Sequence, residues 1–204
     1  MNYIIGVDFD NTLVNYDNAL YETALASGLI KSDIYRNKKS IRDEIRQLPN
    51  GEIKWQELQA FIYGKGIKNS TLFEGVKRFF DACQDFSINV FIISHKSEFA
   101  NMDKERINLR DAAINWMKNN RFFEDDGLKL SLDRVYFEPT RQGKIERIKR
   151  LECTHFIDDL EETFLEPSFP SNVKRILYAK ESFRLNGVTT VATWKEIYDC
   201  FFSR

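Results

Sequence analysis

The sequence predicts an α/β protein: a Rossmann-like, doubly wound parallel sheet interrupted once by a small all-helical insert. Three observations carry this. Short β-branched apolar runs recur along the chain, helical patterns lie between them, and one long stretch without a convincing strand follows the first run.

The first run, Tyr3-Ile4-Ile5-Gly6-Val7, is continuous rather than alternating and ends abruptly in acidic residues. That is the pattern of a strand buried on both faces. Residues 16–70 then carry three amphipathic stretches, Asp17–Leu29, Lys39–Leu48 and Ile53–Gly64, punctuated by Pro49-Asn50-Gly51 and Gly64-Lys65-Gly66. Thr71-x-x-Glu74 has the form of a capping box and predicts a helix running through Val76, Phe79, Phe80 and Cys83. Further strands are expected at Ile88–Ile93, Arg134–Phe137, His155–Ile157 and Arg175–Tyr178. Helices are expected at Leu109–Asn119 and Gly143–Leu151, and a last one opens at the box Thr193-x-x-Glu196. The α/β core therefore takes 1–15 and 71–204, with the insert at 16–70.

At 204 residues and 24.1 kDa the chain exceeds one domain of about 150 residues and falls short of two. Its 43% apolar and 14% aromatic residues argue against disorder. The balance of 30 Lys+Arg against 31 Asp+Glu argues against a nucleic-acid polymer or a membrane surface as partner. Cys83, Cys153 and Cys200 form no C-x-x-C, so neither a disulfide framework nor a zinc site is expected, only buried or idle thiols. The start lacks the basic region of a signal peptide, and no apolar run spans a bilayer, so the expected location is cytoplasmic. No G-x-x-x-x-G-K-[ST] is present, which excludes a P-loop kinase. Oligomeric state has no signature in the sequence.

The chemistry lies at three strand ends: Asp8-Phe9-Asp10-Asn11-Thr12, Ser94, and Asp158-Asp159. Open α/β sheets bind ligands outside the carboxyl ends of their strands. Carboxylates gathered there cost several kcal/mol each unless a cation neutralises them, and hard oxygen ligands suit Mg²⁺. One of Asp8 and Asp10 can attack phosphorus while the other protonates the departing oxygen and then deprotonates water. Thr12 and Ser94 offer hydroxyls, and Lys144 is the candidate lysine for the phosphoryl oxygens.

Together the D-x-D-x-T of Asp8, Asp10 and Thr12, the strand ending Ile92-Ile93-Ser94, the Gly143-Lys144 helix start and Phe156-Ile157-Asp158-Asp159 resemble the haloacid dehalogenase superfamily of aspartate-nucleophile phosphotransferases. The resemblance covers essentially the whole chain. It implies Asp8 as nucleophile and Mg²⁺ ligand, and Asp10 as general acid/base that also lends Mg²⁺ a backbone carbonyl. It implies Ser94 as a phosphate-binding residue, Lys144 as the third motif, and Asp158 and Asp159 as metal ligands, the second through water. Asn11, Thr12, Ser94, His95 and Lys144 are the expected substrate contacts. Asp8 and Ser94 stand 86 positions apart, Ser94 and Lys144 only 50, so the insert resembles a cap placed after the first motif. The implied activity is a Mg²⁺-dependent phosphomonoester hydrolase acting on a small cytosolic phosphorylated metabolite through an aspartyl-phosphate. A 5'-nucleotidase is one specific form.

Two other readings stand beside it. A hydrolytic dehalogenase expels a halide that needs no proton, which would leave Asp10 and the acidic doublet superfluous. A non-catalytic binding module would not need every catalytic position. Of the remaining polar residues, His95 is either a substrate contact or an idle loop residue, and His155 reads as packing. Glu161 and Glu162 suit a first helical turn. Lys38, Lys39, Arg42 and Arg46 form a solvated face or recognise an anion. Trp55 reads as an anchor of the insert.

Overall fold

The computed structural model describes residues 3–180 and 186–203. The outer bounds of the expected core, 1 and 204, lie outside the described residues. In chain order the first elements are β1 (Ile4–Val7), β2 (Val14–Asn15), α1 (Asp17–Ala26), α2 (Lys38–Arg46), α3 (Gly51–Tyr63), β3 (Thr71–Leu72), α4 (Val76–Asp85) and β4 (Asn89–His95). There follow α5 (Leu109–Asn119), β5 (Val135–Glu138), α6 (Arg141–Arg150), β6 (His155–Asp158), α7 (Glu161–Leu165), β7 (Lys174–Tyr178), β8 (Val188–Val191) and α8 (Trp194–Phe202).

Six strands form one sheet in the order β5-β4-β1-β6-β7-β8, every neighbouring pair parallel. The chain steps outward from β1 to β5, crosses back through α6, and steps outward again from β6 to β8. The order therefore reverses between β1 and β6, the place where doubly wound sheets open a crevice. β8 adds an edge strand that the apolar runs did not predict.

β1 is buried on both faces, with Ile5 and Val7 fully covered. Gly6 is there because of its neighbour: a Cβ would lie 2.5 Å from the Phe156 ring. Phe156 in turn packs with Ile93, Ile145, Ile148, Phe164 and Leu177. Right-handed crossovers put α6 and α7 on that face and α4 on the other. There Phe79 of α4 meets Trp194 and Phe201 of α8, with ring centroids 5.2 and 5.6 Å apart.

Helix starts test the capping signals. Thr193 accepts from the Glu196 N–H at 3.2 Å, while the Glu196 carboxylate accepts from the Ala192 N–H at 2.6 Å, one residue outside the expected partner. α6 begins at Arg141 because the Thr140 hydroxyl caps the Gly143 N–H, two residues before the expected start. The Thr71-x-x-Glu74 box is a correction: Thr71 pairs in β3, and α4 opens only at Val76, after a left-handed Gly75 with no side-chain cap.

The chain divides into two compact units. One takes residues 1–14, 72–96 and 120–204; the other takes 15–71 and 97–119. The stretch 97–119, which the sequence pattern leaves with the core, thus belongs with the helices of the insert. The Trp116 Nε1–H donates to the Ser70 carbonyl at 3.1 Å. Leu20, Ile41, Ile45, Trp55, Ile62 and Met117 are buried in this helical unit. Asn37 caps α2 by accepting from the Ser40 N–H at 2.8 Å. At the first residue of α3 a Cβ on Gly51 would sit 2.4 Å from the Ile45 carbonyl oxygen, so only glycine fits. Among the described residues no helix is long and apolar enough to cross a membrane. Cys83 and Cys153 are buried, and burial pushes both thiols up to about 12.

Candidate active site

Asp8 stands one residue past β1, and its N–H donates to the Ile157 carbonyl at 2.9 Å, continuing the ladder toward β6. That register sets it beside Asp158, the last residue of β6, at the reversal in strand order. The crossover helix α6 turns Lys144, Ile145 and Ile148 inward. The Lys144 Nζ, 2% exposed, donates to Asp8 Oδ1 and to Asp158 Oδ2, each at 2.6 Å. Asp159 completes an acidic trio: one carboxylate oxygen from each of Asp8, Asp158 and Asp159 lies within 4.8 Å of the others. The second oxygen of Asp158 accepts from the Leu160 N–H at 3.1 Å, which steadies the acidic loop.

The electrostatics follow from burial. Burial pushes the Asp8 carboxyl above its ordinary range against the pull of Lys144, and Asp158 and Asp10 add repulsion. Burial also works against the charge on Lys144, but Asp158 and Asp8 outweigh it and hold the ammonium proton more tightly than usual. Three carboxylates facing one ammonium carry a formal excess of two negative charges. The donor set is all hard oxygen, so a divalent cation such as Mg²⁺ fits it.

Asp10 lies in a tight turn. The N–H groups of Leu13 and Val14 both donate to the Phe9 carbonyl, at 3.0 and 3.1 Å, and Asn11 takes a left-handed φ of 59° that asparagine tolerates. Both oxygens of Asp10 accept from the Lys96 Nζ, at 3.0 and 2.7 Å. Lys96 is 3% exposed, and its own N–H donates to the Glu138 carbonyl at 2.9 Å, extending the β4–β5 ladder. The sequence grouped four aspartates on a metal. The structure gathers the carboxylates of three, while that of Asp10 meets a lysine the sequence analysis did not single out. Its only signal was its place two residues beyond Ser94, since a single lysine after a strand carries no periodicity.

Ser94 is buried at the carboxyl end of β4. Thr12 is fully buried, its hydroxyl has no partner among the described residues, and its carbonyl accepts from the Trp194 Nε1–H at 2.9 Å. Thr12 thus ties the Asp10 turn to α8. His95 is exposed; its Nε2 lies 3.2 Å from the Pro139 carbonyl oxygen, and partial burial with the nearby Lys144 lowers its pKa. His155 packs edge-on against Tyr3 and Phe201, at 5.0 and 4.8 Å, and burial lowers its pKa to about 4.

No family model and no curated protein matches the chain. Solved structures do. A haloacid dehalogenase-like family hydrolase from Streptococcus pneumoniae matches with a TM-score of 0.59 at 16% identity, over 98% of each chain. A HAD-superfamily hydrolase of subfamily IA from Geobacter sulfurreducens matches with 0.56 at 12% identity, over 98% of this chain and 96% of that one. A HAD family hydrolase from Deinococcus radiodurans, with bound phosphate and sodium, matches with 0.55 at 12% identity, over 98% of this chain and 95% of that one. At such identities the likeness is one of fold: the chain has the α/β architecture of haloacid dehalogenase-like hydrolases.

Proposed function

We propose that the chain is a Mg²⁺-dependent phosphomonoester hydrolase with Asp8 as nucleophile. One observation carries the proposal: Asp8, Asp158 and Asp159 converge within 4.8 Å at the reversal in strand order, with buried Lys144 bridging Asp8 and Asp158. Asp8, Asp158 and Asp159 would hold the cation, which supplies charge to offset that of the phosphoryl oxygens.

The chain's own residues account for the proton and bond bookkeeping. An oxygen of Asp8 bonds to phosphorus as the ester P–O bond breaks, and the departing oxygen takes a proton from Asp10. Asp10 then accepts a proton from water as the water oxygen bonds to phosphorus. The Asp8–phosphorus bond breaks, releasing phosphate and restoring the carboxylate. Lys144 keeps Asp8 and Asp158 from repelling each other and lies where phosphoryl charge gathers. Ser94 offers a buried hydroxyl to the same group.

In this reading the substrate is a small phosphorylated metabolite of the cytoplasm, nucleoside monophosphates among the candidates. The helical unit takes the role of the cap that selects the ester. Dehalogenation is disfavoured because a departing halide needs no proton, which would leave Asp10 without a task. Phosphate release from 4-nitrophenyl phosphate with Mg²⁺, lost on adding EDTA and in Asp8→Asn, is the expected result. Unchanged release by Asp8→Asn would remove Asp8 as nucleophile.

A further inference from the structure

We infer that Lys96 is a positioning residue: its buried ammonium fixes the Asp10 carboxyl group where, once protonated, it can hand that proton to a basic alkoxide leaving group. The inference rests on the hydrolase reading above and adds to it a residue outside the four motifs and a class of ester. Three observations support it. Lys96 Nζ reaches both Asp10 oxygens, at 3.0 and 2.7 Å, so the contact restrains rotation of the carboxylate as well as its position. Lys96 is 3% exposed, so solvent contributes little to holding its charge. Its stem is fixed at the root, because the Lys96 N–H bonds the Glu138 carbonyl at 2.9 Å, and its Nζ lies over the ring of Phe9, between the two aspartates, 5.6 Å from the centroid.

Burying a lysine costs desolvation that its pairing with Asp10 must offset, where a neutral side chain would incur none. Proton delivery is the task we assign to the pair. A misplacement of about 1 Å costs proton transfer on the order of a hundredfold, and Asp10 must meet the leaving oxygen in the first half of the reaction and water in the second. Over a turnover the proton balance closes, since the proton given to the alkoxide is replaced by one taken from water in the second half. Such positioning matters for esters of ordinary alcohols, whose alkoxides leave only when protonated. It matters far less for aryl esters, whose phenolates leave unaided.

The experiment compares kcat/KM, which reports the half-reaction that expels the leaving group, for an alkyl ester (glycerol phosphate) and for 4-nitrophenyl phosphate. Lys96→Met should lower the alkyl value at least roughly tenfold more than the aryl value. In an Asp10→Asn background the same substitution should add little further selective loss. Because the ratio is taken on one sample, it does not depend on the fraction folded. If Lys96→Met gives no folded protein, Lys96→Arg should shift the ratio in the same direction. Equal losses on both esters would overturn the inference, because a lysine that binds the phosphoryl group or merely supports the fold acts on both alike. Additive losses with Asp10→Asn would overturn it as well. Asp8→Asn serves as the separate control: its inactivity on both esters upholds the hydrolase reading whatever Lys96 does, and its activity would sink that reading first.

Discussion

The α/β unit and the helical unit treat charge in opposite ways. The α/β unit buries Asp8, Lys96, Lys144 and Asp158, each at 4% exposure or less. In the helical unit no charged side chain among the described residues is buried. Its charged residues pair at the surface instead, as Arg36 does with Glu22, Arg46 with Glu52 and Lys65 with Glu105. Burying ions is expensive, and well-packed apolar residues of similar volume are often no less stabilising. The cost is therefore concentrated at the candidate site, where the carboxylates gather, and the helical unit, built on apolar contacts and caps, avoids it.

Lys144→Met tests this contrast most severely. It leaves Asp8 and Asp158 facing each other without their shared ammonium, and should destabilise the protein by about 3–5 kcal/mol. Denaturant unfolding checks the loss. Under the hydrolase reading Mg²⁺ should recover part of it, because a ligand that binds only the folded state stabilises by mass action. A variant as stable as the parent would mean that the two carboxylates relax into solvent, and the distinction between the units would weaken.

Glycines sharpen the comparison next. Gly6→Ala drives a methyl toward the Phe156 ring, 2.5 Å away, and should cost toward the upper end of about 1–3 kcal/mol by overpacking. Gly28→Ala in the helical unit meets nothing within 4 Å and pays only for its left-handed φ of 66°, roughly 1 kcal/mol. Equal effects would show that packing at β1 is looser than the contact implies.

Acid should act on one unit alone through histidine. Both histidines, His95 and His155, lie in the α/β unit. Burial holds His155 at about 4 against an ordinary 6.5, so the unfolded chain takes up the proton first as pH falls. The stability is complete above pH 6.5 and declines toward pH 4, by about 2 kcal/mol at pH 5. Unfolding of the parent and of His155→Phe at pH 7.5 and 5 checks this: the drop should shrink in the variant.

These contrasts follow the line between what was legible in the sequence and what was not. Asp8, Ser94 and Asp158 could be read because each closes an apolar run, and a polar residue at the end of a strand buried on both faces has few structural excuses. β8 could not: Val188–Val191 is a half-exposed edge strand with two threonines, too polar for an apolar-run signal. The helix Leu109–Asn119 was visible from its periodicity, but its partner was not. Periodicity says that Trp116 turns inward, whereas only the fold shows that its indole bonds Ser70. Lys96 was hidden for the same reason, because the carboxylate that gives it meaning lies 86 positions away.

The smallest effect is expected at Arg46, and it decides what the charged face of α2 is for. The Arg46 guanidinium bonds both oxygens of Glu52, with Nε at 2.6 Å, and this bond with that of Gln56 holds the Glu52 carboxyl below its ordinary range. Both side chains are about half exposed, so solvent screens the pair and competes for each partner. Arg42 likewise bonds its neighbour Asp43. A guanidinium paired with a carboxylate is neutralised locally and offers an anionic substrate little net charge, so the face reads as a solvated surface. Arg46→Ala should leave Tm unchanged within error and KM for the phosphate ester unchanged with it. A raised KM at unchanged Tm would show instead that Arg46 exchanges Glu52 for the substrate, and the charge of the helical unit would then be functional too.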